Sequence, residues 1–149
     1  VGVIIANKNG KNLAKFVTDF KQKSPETKIR LMGHSLGAHV ILSTIKNLAK
    51  NAKKRGIIEA VYLFGGSIPN DALSIKNGFY AERIIATKIR NYYSPYDEVL
   101  RVADDWNWVD TPIGYRGARG KTISKYSQTM VKPKNHRFAS YAEVLRSFP

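Results

Sequence analysis

Residues 28–48 read Lys-Ile-Arg-Leu-Met-Gly-His-Ser-Leu-Gly-Ala-His-Val-Ile-Leu-Ser-Thr-Ile-Lys-Asn-Leu, and the order of the fold is decided inside them. Lys28–Met32 is a short strand candidate that runs straight into Gly33-His34-Ser35-Leu36-Gly37. Beyond it, Val40, Ile41, Thr44, Ile45 and Leu48 fall on one face of a helix. Ser35 therefore stands at the apex of a sharp strand-to-helix turn. A serine hydroxyl is a poor nucleophile until it is exposed, oriented and given a base, and such a turn supplies the exposure. It also forces the serine into a strained backbone conformation, with glycines at positions 33 and 37 where side chains would collide with the neighbouring strand and helix. A bare G-x-S-x-G arises by chance in about one chain in twenty of this length, so the strand before it and the amphipathic helix after it carry the reading.

Working outward, Leu13, Phe16, Val17 and Phe20 recur at helical spacing and predict a helix over 11–20. It can extend back through Ile4 and Ile5 with Gly10 inside it, and stops near Ser24-Pro25, since the residue before proline avoids helical angles. On the other side, the helix after Ser35 ends in the basic cluster Lys50, Lys53, Lys54 and Arg55, favourable at the negative end of a helix dipole, with Gly56 as the stop. Ala60–Phe64 reads as a buried strand closed by Gly65-Gly66. Residues 67–83 read as irregular, with a short helix near Tyr80–Arg83. Ile85–Tyr93 is the next strand, broken by Ser94-Pro95 and followed by a helical turn over Asp97–Val102. A long surface loop is expected over 103–122, then a last strand over Ile123–Val131 and a closing helix over Phe138–Leu145. Strands alternating with helices predict an α/β fold with a mainly parallel sheet flanked by helices.

Bulk composition sets outer bounds. The chain has 149 residues, the size of one domain. It has no cysteine, which excludes disulfides, thiolate chemistry and cysteine-ligated zinc while leaving the redox compartment open. No apolar run is long enough for a transmembrane segment, and the first residues lack the pattern of a signal peptide, which leaves the cytoplasm as the expected setting. The charge is lopsided, with 25 Lys and Arg against 11 Asp and Glu, a formal net of +14. That field favours anionic partners: nucleic acid, acidic surfaces or anionic substrates. The charges are mostly dispersed, which also fits a lysine-rich solvated surface.

Gly33–Ala38, reading G-H-S-L-G-A, resembles the nucleophile elbow of lipase-like α/β-hydrolases. The resemblance implies a serine acyl hydrolase of esterase or lipase type, with chain order nucleophile, acid, histidine and no metal or organic cofactor. Under it Ser35 is the nucleophile and the Leu36 N–H an oxyanion donor, with Gly33, His34 and Gly37 completing the elbow. The acid belongs after the Ile85–Tyr93 strand, where Asp97 stands. An aspartate there is equally an N-cap for the following turn, and Glu98, Asp104, Asp105 and Asp110 are nearby carboxylates. The histidine belongs after the last strand. Of three histidines, His34 and His39 lie in or just after the elbow, which leaves His136 in Asn135-His136-Arg137.

The match has a gap. The superfamily places several strands and a second oxyanion donor ahead of the elbow, whereas here the preceding residues read mainly as helix. A C-terminal portion of a longer hydrolase is the expected reading, favoured by a first residue, Val1, that is not methionine; a minimal version of the fold is the other. Lys28 and Arg30 are unusual for a strand buried on both faces and are expected at its solvent-facing start. The competing function is a non-catalytic binding module. From Thr111 to Ala142 there are seven Lys and Arg and no acid, with Trp108, Tyr115 and Tyr126 nearby for stacking on nucleic acid. No nucleic-acid motif accompanies the charge. The same basic rim flanks His136 and can steer an anionic lipid or acidic substrate toward it.

Overall fold

The computed structural model describes residues 1–108 and 110–149. Helix α1 spans Gly2–Lys23, strand β1 Arg30–His34, helix α2 Gly37–Ala49 and strand β2 Ile58–Phe64. Then follow α3 (Ile75–Ile84), β3 (Ile85–Tyr93), α4 (Glu98–Asp105), α5 (Ile113–Arg116), β4 (Tyr126–Met130) and α6 (Phe138–Glu143). The four strands form one parallel sheet in the order β1-β2-β3-β4. Flanked by helices, this is an α/β fold, as the alternation of elements predicts.

Two apolar clusters lie on the two faces of that sheet. On one face, α1, α2 and α3 pack through Val17, Ile41, Ile45, Leu48 and Ile84 against Val61, Leu63 and Ile89. On the other, Tyr141 of α6 joins Ala60, Tyr62 and Phe64. Alternation along β2 explains the division, because successive side chains of a strand point to opposite faces. All strands being parallel, the turns that follow β1, β2, β3 and β4 emerge at one end of the sheet, where ligands of open α/β sheets bind.

Several expectations shift. Helix α1 takes in the extension back through Ile4 and Ile5, and its buried stripe joins Val17 of the predicted face to small residues. Ala6, Gly10, Ala14 and Val17 face inward, while Phe16 is exposed and stacks on Phe20 at 6.0 Å. Small side chains let α1 lie close to α2: a Cβ on Gly10 would sit 2.4 Å from the Ser43 Cβ. The basic residues 50–55 lie past the end of α2, and the carbonyls there are capped instead by Arg83. Its guanidinium donates to Ala49 O at 2.7 Å, Lys54 O at 2.6 Å and Asn51 O at 2.9 Å.

Helix α3 occupies much of the stretch expected to be irregular, started by Ser74, whose hydroxyl accepts the Asn77 N–H at 3.1 Å. Within the expected 103–122 loop, Ile113–Arg116 forms the short α5; residue 109 lies outside the described residues. Strand β4 is shorter than predicted, and α6 ends at Glu143. Strand β1 begins at Arg30, so Lys28 precedes it and Arg30 is its exposed first residue. It is the edge strand of this sheet, which is why it tolerates that charge.

Candidate active site

Ser35 sits between the last residue of β1 and the start of α2, with φ +54°, a left-handed conformation costly for a non-glycine residue. Three hydrogen bonds hold it there. Its N–H donates to Phe64 O at the end of β2 (3.1 Å), and its carbonyl accepts from Ala38 N (3.2 Å) and Ser67 N (3.1 Å). A Cβ on Gly33 would meet the Ile41 side chain at 2.7 Å and the Gly37 backbone at 3.0 Å, so the first glycine is sterically required. Gly37 differs from expectation: a Cβ there meets nothing within 4 Å. Among the described residues β1 is an edge strand, with no strand beyond it to crowd that position.

The residues expected to meet Ser35 come from two other strand ends. His136 follows β4 and Asp97 follows β3. Ser35 Oγ lies 2.8 Å from His136 Nε2, and His136 Nδ1 lies 2.6 Å from Asp97 Oδ2. A carboxylate can only accept, so Nδ1 carries the proton and Nε2 is left to accept from the serine hydroxyl. The Asp97 side chain is fully buried, and the His136 side chain retains 15% exposure. Asp97 divides its two oxygens: Oδ1 accepts the Leu100 N–H at 3.1 Å and caps α4, while Oδ2 faces His136. Burial opposes its charge, but donors from His136, Tyr141 and Leu100 outweigh that and hold the carboxyl below the usual range. Three of the four competing acids are paired elsewhere or exposed. Glu98 and Asp105 pair with Arg101 at 2.6 and 2.9 Å, and Asp110 is exposed.

Two neighbours were not legible as parts of this cluster. The His34 ring lies 4.8 Å from that of His136 and donates through Nε2 to the His136 carbonyl. Burial pulls the His34 pKa down by more than that hydrogen bond raises it, which favours the neutral ring. Tyr141, on α6, donates its hydroxyl to Asp97 Oδ2 at 2.6 Å. The only signal for either was membership in the elbow, for His34, and position in the closing helix, for Tyr141. His39 stands apart, with Nε2 3.2 Å from Ser67 O. The Leu36 N–H precedes the first turn of α2, where backbone donors have no acceptor in their own helix.

A family model and a curated relative each match about two thirds of the chain. Residues 1–104 match the family described as "Protein of unknown function (DUF726)", a stretch that holds Ser35 and Asp97 and stops short of His136. A rice protein (Oryza sativa subsp. japonica), "Transmembrane and coiled-coil domain-containing protein STS1", is 31% identical over 104 residues. That alignment covers 68% of this chain, and the chain spans about 15% of the length of that relative. No helix among the described residues is long and apolar enough to cross a membrane. No solved structure matches the chain. With more than half of its length matched, from the first helix through the helix that Asp97 caps, the chain belongs to the DUF726 family.

Proposed function

We propose that the chain carries the catalytic part of a serine acyl hydrolase built on an α/β-hydrolase plan, with Ser35, His136 and Asp97 as nucleophile, base and orienting acid. The observation that supports this reading is the unbroken run of contacts from Ser35 Oγ through both His136 nitrogens to Asp97, delivered from three separate strand ends. A capped aspartate or a surface histidine alone would not need the other two.

The chemistry follows from the hydrogen-bond directions. Ser35 Oγ bonds to the acyl carbon as its proton passes to His136 Nε2, and Asp97 holds the resulting imidazolium. The carbonyl oxygen gains the displaced electron pair and is met by the Leu36 N–H at the positive end of α2. Collapse expels the alcohol, which takes the proton from Nε2, and water then releases the acyl group from Ser35 by the same route. The resemblance places a second oxyanion donor in a loop ahead of the elbow strand, and here the residues before β1 fold mainly as helix α1. A missing donor of this kind costs on the order of 10²–10³ in rate.

An apolar acyl group suits the surroundings. Leu36, Tyr96, Val99, Trp106 and Phe138 are exposed, and all lie in segments that follow the strand ends bearing the triad. We expect p-nitrophenyl esters of increasing chain length to be hydrolysed with kcat/KM rising by up to about fourfold per buried methylene, the equivalent of about 0.8 kcal/mol. Ser35→Ala should abolish turnover. Hydrolysis that survives Ser35→Ala would remove this reading.

A further inference from the structure

The carboxylate of Asp97 is shared. His136 Nδ1 and Tyr141 Oη both lie 2.6 Å from the same oxygen, Oδ2, while Oδ1 accepts only the Leu100 N–H. Tyr141 is completely buried, and its hydroxyl is the far end of a side chain anchored on α6. Room for it is made by Gly65 at the end of β2, where a Cβ would sit 2.8 Å from the phenol oxygen. Helix α6 begins two residues after His136, so this hydrogen bond ties the segment carrying the base directly to the acid it must face.

We propose that Tyr141 is a positioning residue that acts through Asp97, fixing which oxygen faces His136 and moderating how strongly the carboxylate holds the imidazolium. The proposal goes beyond the hydrolase reading, because the shared oxygen exists whether or not Ser35 turns over. The phenol cannot be the base. Burial first, and then the carboxylate beside it, push its pKa far up, so it remains a donor across the working pH range. A donor on Oδ2 spreads the negative charge. Without it, the Asp97 carboxylate loses a stabilising hydrogen bond, which moves its titration to higher pH. The other groups around the pair are His34 from the end of β1, on the His136 carbonyl, Ser35 on Nε2, and the Leu100 N–H from α4 on Oδ1. None of these reaches Oδ2.

The test is an NMR titration of the Asp97 carboxyl and His136 ring carbons in the full-length protein, comparing the parent with Tyr141→Phe, and with 3-fluorotyrosine in place of Tyr141. Tyr141→Phe should move the Asp97 carboxyl upward by about half a pH unit or more. Fluorotyrosine, a stronger donor of nearly the same shape, should move it downward, and this variant keeps the test open if Tyr141→Phe does not fold. Identical titrations in the parent and the folded variants, with only thermal stability altered, would overturn the proposal and leave Tyr141 as packing. A carboxyl that shifts as expected in a protein whose Ser35 never turns over would sink the hydrolase reading and leave this inference standing.

Discussion

At the scale of single residues, the informative position is Asp97, which is at once a helix cap, a hydrogen-bond partner of His136 and a buried charge. In the sequence it was legible as either an N-cap or a triad acid, because both roles place an aspartate after a strand and before a helix. The structure uses one oxygen as the cap and turns the other toward His136. His34 and Tyr141 could not be read the same way, since their contacts with the cluster span 102 and 44 residues and follow no local period. The depressed pKa of Asp97 makes a prediction about stability. Its ionised form is favoured in the native state, so the contribution is fully present above the unfolded value of about pH 3.9 and is lost as pH falls through the lower native value. Urea unfolding of the parent and Asp97→Asn should show a constant stability gap near neutrality that narrows below about pH 4. A gap that stays constant into strong acid would mean that the charge of Asp97 contributes nothing to folding.

Elements show where a sequence pattern misleads. The phenylalanines at 16 and 20 gave α1 its apparent apolar face, yet the buried stripe is Ala6, Gly10, Ala14 and Val17. Close helix approach favours small side chains, and hydrophobic periodicity weights large ones, so the true seam was hidden beneath a stronger signal. Gly10 is the place to test it. In an exposed helix, glycine to alanine stabilises by roughly 1 kcal/mol. Here the added methyl would lie 2.4 Å from Ser43 Cβ and 2.9 Å from the Val40 carbonyl. Forced overpacking of this kind costs about 1–3 kcal/mol, so we expect Gly10→Ala to lower stability in urea unfolding. A rise in stability would mean that α1 sits further from α2 than described. The first half of helix α3, ahead of the short helix expected near Tyr80–Arg83, was missed for a related reason. Its Asn77 and Gly78 are poor helix formers, and its start depends on the Ser74 cap rather than on an apolar stripe.

For the whole molecule, the alternation of strands and helices sufficed to read an α/β parallel sheet, because that alternation is set by local periodicity and chain breaks. Strand order and edge status were not legible. Charged Arg30 sits at the exposed start of β1, as expected, and the edge position of that strand adds to its tolerance of the charge. The same topology brings the ends of β1, β3 and β4 to one side, and with them Ser35, Asp97 and His136. Residues separated by 101 positions thereby come within hydrogen-bond distance, a convergence that a basic binding surface alone would not require. The central claim is that this convergence activates Ser35. The most direct test treats the full-length protein with a fluorophosphonate probe and reads the intact mass, beside Ser35→Ala and His136→Ala. A single adduct mapped to Ser35, absent from both variants, is the predicted result. A folded parent that takes up no probe, or labels equally well without His136, would contradict it.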